Sequence, residues 1–346
     1  MSKNELTASI KAKALELGHD LCGIIPAETF GEFTRGLEKR MEDFPESKGE
    51  YEGLRQLAAM PETAKSVIVC AHKYTQYKIP ACFDGLIGKC YLFDGRLGFT
   101  KEFEACKGLG EFLTSLGIAY KQNSVSARWA AQKAGLGFFG RNNFLYTKFG
   151  SYAWINTWEV DAELDYTQNA PDPGIQCLCN DHCRKCVEAC PTKALSGDFA
   201  MDKRKCVAQI SFGGPGAGDT ALHDSMGTWI YGCDACQDAC PMNKGKFHME
   251  GESPREPQNF PRMDETERDI SLEKILLMDE EYFEKILHPR FWYLSKERMW
   301  VGKCNALRAM ANSGDAKYRA LIRNALAHDD GQVRKTAQWA CEKLGI

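Results

Sequence analysis

CLCNDHCRKCVEACPTKAL, residues 177–195, and YGCDACQDACP, residues 231–241, decide how the rest of the chain is read. The first carries Cys183-x2-Cys186-x3-Cys190-Pro191, the second Cys233-x2-Cys236-x3-Cys240-Pro241, and Cys206 lies between them. Nine of the 16 cysteines fall in residues 177–241. The N-terminus, MSKNELTASIKAKALELG, has neither the apolar core nor the cleavage site of a secretory signal, so disulfides are not the expected use of these thiols. Thiolates at this density could hold zinc, but four-thiolate zinc sites usually come as short paired Cys-x2-Cys units. The repeated Cys-x2-Cys-x3-Cys-Pro is the pattern of two [4Fe–4S] clusters in one small fold.

In such folds the cysteine before each proline serves the other cluster. Cys240 is therefore expected with Cys183 and Cys186, and Cys190 with Cys233, Cys236 and Cys206. The usual spacing puts the remaining ligand of the first group at position 180, which is Asn180. Cys179, one residue away, is expected to take its place, with Cys177 as the alternative.

The chain of 346 residues is long enough for two or three domains, and its 44% apolar and 26% charged residues are those of an ordinary globular protein. No apolar run reaches membrane-spanning length, so a cytoplasmic protein without a membrane partner is expected. The net charge of −3 hides an uneven distribution. Residues 288–346 hold 11 Lys and Arg against 5 Asp and Glu, and Arg308, Lys317, Arg319, Arg323, Arg334 and Lys335 could follow a nucleic-acid backbone. An ordinary solvated helical face is the competing reading of the same residues.

The fold class expected is α+β, in three parts. Residues 1–165 alternate helical and strand patterns and read as an α/β cofactor-binding domain: a first helix with Leu6, Ile10, Ala14 and Leu17 on one side, strands at 21–27, 66–71 and 152–160, and a helix at 101–116 stopped by Gly117. Residues 166–250 form the ferredoxin-like two-cluster domain, entered through a linker with Pro171 and Pro173. Residues 251–346 begin as a wrapping loop and end in HEAT-like helices, which at two or three units need docking on the body to be stable.

Two glycine patterns need weighing. Gly135-x-Gly137-x-x-Gly140 has the form of a dinucleotide fingerprint, but a helical pattern precedes it where a strand is required. A tight helix stop, or a turn that brings backbone close to a bulky cofactor, fits better. GGPGAGDT at 213–220 mimics a phosphate loop, yet Asp219 stands where the lysine belongs and would repel phosphate. The seven histidines show no metal-binding spacing; His72, closing a strand beside Tyr74, is the one that stands out.

Taken together, Arg128, Ala131, Ala134-Gly135-Leu136-Gly137, Gly140-Arg141-Asn142, Gly150-Ser151, the block Gly232-Cys233-Asp234…Cys236-Gln237…Cys240-Pro241…Asn243, and the helical tail resemble the epoxyqueuosine reductase family, which is related to reductive dehalogenases. The resemblance implies two [4Fe–4S] clusters, cobalamin held between the first two domains, an external low-potential electron donor, and a tail that helps hold tRNA. It implies corrin contacts from Arg128, Gly135, Leu136, Gly137, Gly140, Arg141, Asn142 and Ser151. Where the family carries its acid, this chain has Lys121, and the second acidic position is Ala127. Lysine protonates a substrate only if its pKa is lowered far from about 10.4. Lys121, Tyr91 and Tyr74 are therefore the candidate proton sources, in a substrate pocket rebuilt relative to the family. Epoxyqueuosine reduction itself, or service as an electron-transfer or corrinoid-reducing protein with no substrate of its own, are the other readings.

Overall fold

A computed structural model of the chain describes residues 1–166, 179–180, 182–197, 199–214, 216–247 and 257–346. Cys177, the linker prolines 171 and 173, and the first part of the expected wrapping loop lie outside the described residues.

The strands are β1 (Leu21–Pro26), β2 (Ser66–Lys73), β3 (Tyr120–Gln122), β4 (Phe138–Phe139), β5 (Leu145–Tyr146) and β6 (Ala153–Val160). Four of them form an antiparallel sheet in the order β1-β2-β6-β3, and β4 pairs with β5 separately. Every residue of β2 from Ser66 to His72 is buried, because helices cover both faces of the strand. Alternate side chains then serve two cores. Ile68 and Cys70 meet Ile10, Ala14, Leu109 and Leu113 from the helices Lys3–Glu16 and Lys101–Ser115. Val67, Val69 and Ala71 meet Phe33, Leu37, Ala130 and Ala131 from the helices Gly31–Asp43 and Ala127–Lys133.

Local sequence sets the helix ends. Ser2 and Glu5 form a capping box at the first helix, and the Thr100 hydroxyl accepts the Phe103 N–H at 3.1 Å to start the helix Lys101–Ser115. Gly135, at φ +71°, ends the helix Ala127–Lys133 in the left-handed conformation.

The C-terminal helices Met299–Ser313, Arg319–Asn324 and Gly331–Leu344 are docked, as their small number requires. Leu307, Met310, Val333 and Ala337 share one core with Tyr74, Phe93, Tyr152 and Tyr231. Each fully buried side chain of leucine size there contributes about 2 kcal/mol. The Tyr231 and Phe291 rings stack with centroids 4.0 Å apart. Polar groups fix the register: Asn305 donates to the carbonyls of Ser211 (2.9 Å) and Ile230 (3.0 Å), and Asn312 to those of His223 and Gly227 (both 2.8 Å). The glycine-rich connection at 213–220 is part of this dock, with Gly213 against the Arg298 guanidinium and Gly218 against Gln332.

Arg308 departs from its expected place. It is 1% exposed and donates to the carbonyl of Trp229 and the side chain of Asn305. It belongs to the dock and not to the basic face. Lys317, Arg319, Arg323, Arg334 and Lys335 are exposed.

Candidate iron–sulfur and cofactor site

Cys179, Cys183, Cys186 and Cys240 line one small cavity, together with Gly140, Arg141, Asn142 and Tyr146. Burial raises the Cys186 thiol, and Cys179, Cys240 and Cys183 raise it further, which marks the four sulfurs as neighbours. Asn180, at the position where a ligand usually stands, makes the turn instead: its Oδ1 accepts the N–H groups of His182 at 3.0 Å and Cys183 at 2.9 Å. Arg141 ties this loop to the first domain, donating to the Gly197 carbonyl at 2.6 Å and to the Asn180 carbonyl at 3.3 Å.

The other four cysteines form a second group. Burial lifts the thiols of Cys233 and Cys236, and Cys206 and Cys190 add to both. Asn142 joins the groups, since its Nδ2 donates to the Tyr146 hydroxyl at 2.8 Å and to the Cys236 carbonyl at 3.2 Å. Zinc bonds of 2.3 Å would draw four sulfurs to within about 3.8 Å of one another. Among the described residues, the one set of three such ligand atoms within 4.8 Å of one another is His19, His72 and Cys106. The cysteine groups are thus spread wider than a single ion gathers, and a four-iron cluster suits them better.

The residues matched to corrin contacts divide in two. Arg141, Asn142 and Ser151 are engaged with the cluster segment. Ser151 donates its N–H to Asn243 Oδ1 at 2.9 Å and its hydroxyl to Gln237 Oε1 at 2.8 Å, both partners coming from the Cys233–Asn243 block. Gly137 and Gly140 allow close approach within the domain: a Cβ on Gly137 would lie 2.6 Å from the Tyr146 carbonyl oxygen, and one on Gly140 would meet the Tyr146 ring. Leu136 is buried in the core beneath them.

Arg128 is different. Its guanidinium is exposed and donates to the Asn143 carbonyl at 2.6 Å, yet the surrounding protein crowds it enough to lower its pKa, with Arg40 next in effect and Tyr293 and Tyr91 opposing. Lys203 completes this wall. Burial draws its pKa down to about 8, with Arg40 and Arg128 lowering it further while Glu50 and Cys206 raise it. Arg40 donates to Asn143 Oδ1 at 2.8 Å and to the Phe199 carbonyl at 2.9 Å, and Lys203 to the Glu50 carbonyl at 3.1 Å. Three cations thus gather around neutral oxygens beside the second thiol group.

The candidate proton sources are scattered. Tyr91 is half-buried between Tyr231 (centroids 4.7 Å) and Trp292 (4.9 Å), and lies against the cluster segment, where a Cβ on Gly232 would come within 2.6 Å of its ring. Tyr74 is sealed among Phe93, Tyr152 and Phe247. Lys121 is exposed on β3, opposite Glu159 of β6. Sequence reasoning missed Arg40, Lys203 and Tyr146, for which no local pattern exists. It also missed the buried Lys89, which pairs with the buried Asp234 and the more exposed Asp238, although Asp234 lies inside the quoted cysteine block.

Fold and site define a double-cluster iron–sulfur protein built on an α/β domain. Residues 178–243 match the 4Fe-4S double cluster binding domain. The epoxyqueuosine reductase of Cyclobacterium marinum is 30% identical over 264 residues, spanning 70% of this chain and 81% of that protein. That of Bacillus subtilis is 29% identical over 225 residues, 64% of this chain and 54% of that protein, so the chain spans about half the length of that relative. The solved epoxyqueuosine reductase with an epoxyqueuosine-modified tRNA-Tyr stem loop has the same fold, with a TM-score of 0.74 at 24% identity over 99% of this chain and 91% of that one. The chain belongs to the epoxyqueuosine reductase family. Among the described residues, no helix is long and apolar enough to cross a membrane.

Proposed function

We propose that the protein is a cytoplasmic reductase that takes electrons from an external low-potential donor and passes them through two [4Fe–4S] clusters to cobalamin. Cys179, Cys183, Cys186 and Cys240 hold the outer cluster, and Cys190, Cys206, Cys233 and Cys236 the inner one. The observation that carries this reading is the position of Lys203, within charge reach of Cys206 on one side and of Arg128 and Arg40 on the other. The thiol group that contains Cys206 is therefore the one beside the cationic wall.

The wall suits cobalamin, whose nucleotide tail bears a phosphate, because three cations hydrogen-bonded to neutral oxygens, with the Glu50 carboxylate as the nearby counter-charge of Lys203, leave a net positive surface. When bound, cobalamin supplies two-electron cobalt chemistry that no side chain can. The chain's part is to hold the group with Arg128, to exclude water with Tyr91, Trp292 and Tyr293, and to keep a proton available. Tyr91 is the proton source favoured over Lys121 and Tyr74, since it lies half-buried against the cluster segment, whereas Lys121 is exposed on β3 and Tyr74 is sealed in the core. Lys121 and Ala127 in the family's acidic positions support a rebuilt substrate pocket, with epoxyqueuosine in tRNA as the alternative substrate. A HEAT-like tail presenting Lys317, Arg319, Arg323, Arg334 and Lys335 would meet a tRNA backbone.

The test is anaerobic protein with and without cobalamin, followed by its absorption spectrum under a low-potential reductant. Reduction of the corrin at a one-to-one ratio supports the reading, and loss of that ratio in Arg128→Ala places the corrin at the wall. Two clusters without any corrin affinity would leave an electron carrier. Turnover of epoxyqueuosine-containing tRNA would identify the family substrate and remove the rebuilt pocket.

A further inference from the structure

On the face of the sheet away from the helix Ala127–Lys133, His19 and His72 bring their rings to a centroid separation of 4.1 Å, tilted by 32°. His72 Nε2 is 3.7 Å from Cys106 Sγ, and ligand atoms of His19, His72 and Cys106 all lie within 4.8 Å of one another. His19 is 2% and His72 3% exposed, and neither ring nitrogen of His19 makes a well-formed hydrogen bond among the described residues, although the backbone of Ala105 lies near one of them. Buried polar atoms without partners are rare and costly, so two on one imidazole ask for a ligand. Glu102 stands beside the trio, one turn before Cys106 on the same helix. Its Oε1 accepts the Tyr77 hydroxyl at 2.6 Å, and its buried Oε2 also lacks a hydrogen-bond partner among the described residues.

We propose that His19, His72 and Cys106 bind one zinc-type divalent ion, with the fourth position left to water or a small ligand. Zinc bonds of 2.0–2.1 Å to nitrogen and 2.3 Å to sulfur at a tetrahedral angle put those ligands about 3.6 Å apart, close to the His72–Cys106 spacing. Two neutral imidazoles and one thiolate are a borderline-soft donor set that suits zinc better than magnesium or calcium. The Cys106 S–H bond breaks as the Zn–S bond forms, with the proton released to solvent. Two cavities meet at the site, one lined by Asp20, Thr75 and Lys101, the other by Arg96, Phe103 and Trp154, and His72 and Glu102 border both. The fourth position of the ion would therefore be open to a small ligand from either cavity, with the Glu102 carboxylate beside it. The site does not depend on cobalamin or on the cluster assignment.

The test uses anaerobic protein with both clusters loaded, given zinc sulfate, desalted, and measured for zinc, iron and the zinc X-ray absorption edge. Expected are one zinc per chain with a single sulfur neighbour, and zinc retention at least about tenfold lower in Cys106→Ser and His72→Gln at unchanged iron. Cys82→Ser, an exposed cysteine, should retain zinc. Should either ligand variant misfold, alkylation of Cys106 in the unaltered protein decides, since zinc should protect it. Zinc surrounded by four sulfurs, retention unchanged in Cys106→Ser, or Cys106 alkylated equally with and without zinc would overturn the proposal.

Discussion

The backbone N–H of Arg141 donates to Cys179 Sγ at 3.4 Å. The first domain therefore touches the outer thiol group directly. N–H···S bonds stabilise the reduced, more negative state of a cluster. Because the Arg141 side chain holds the neighbouring loop through Gly197 and Asn180, Arg141→Ala should loosen that loop. The expected result is loss of one cluster's iron while the inner cluster persists, seen by iron analysis and by the electron paramagnetic resonance of the reduced protein.

Cys179→Ser tests the ligand choice itself. It should remove the outer cluster as fully as Cys183→Ser does. Full retention of both clusters in Cys179→Ser would hand the ligand role to Cys177.

Lys203 should set the potential of the inner cluster. A cation within charge reach of Cys206 favours the oxidised-to-reduced step, so Lys203→Met should lower that potential by tens of millivolts and leave the outer one unmoved. Redox titration of the two signals checks this. Equal shifts in both clusters would show a general rearrangement.

Acid should weaken the dock of the C-terminal helices. His223 is 2% exposed, edge-on to Trp339, and burial, with Arg308 next, lowers its pKa to about 4. The unfolded chain binds this proton near pH 6.5 and the folded chain does not, so stability is full above about 6.5 and lost as pH falls toward 4. Between pH 7 and pH 5 the loss is about 2 kcal/mol. His223→Gln should flatten the fall in thermal midpoint over that range, and an unchanged slope would remove His223 as its cause.

Gly137→Ala should cost about 1–3 kcal/mol, because the new Cβ meets backbone that cannot step aside. Gly98→Ala, with nothing within 4 Å of its Cβ position, should leave the thermal midpoint where it is.

The parts legible in the sequence were those written locally. Cysteine spacing gives a double-cluster domain because a cluster takes several ligands from one short loop, and distance from position 180 pointed to Cys179, which lines one cavity with Cys183, Cys186 and Cys240. The helix at 101–116 and the strand at 152–160 follow from periodicity and a stop at Gly117. What was not legible rests on contacts between distant segments. Arg40, Arg128 and Lys203 converge only because a helix, a second helix and the cluster domain meet. Arg308 shares its period with exposed arginines, and only the carbonyl of Trp229 and the side chain of Asn305 show that it turns inward. Asn142 and Ser151 carried a signal for function, but the same residues are needed to join two domains.

The thiol group that begins with Cys179 is completed only by Cys240, and Asn243 then fastens to Ser151. Cys190 and Cys206 wait in turn for Cys233 and Cys236, so neither cysteine motif can complete a four-thiol group before the other has been made. Filling either group with iron would thus report that the two motifs have folded against each other.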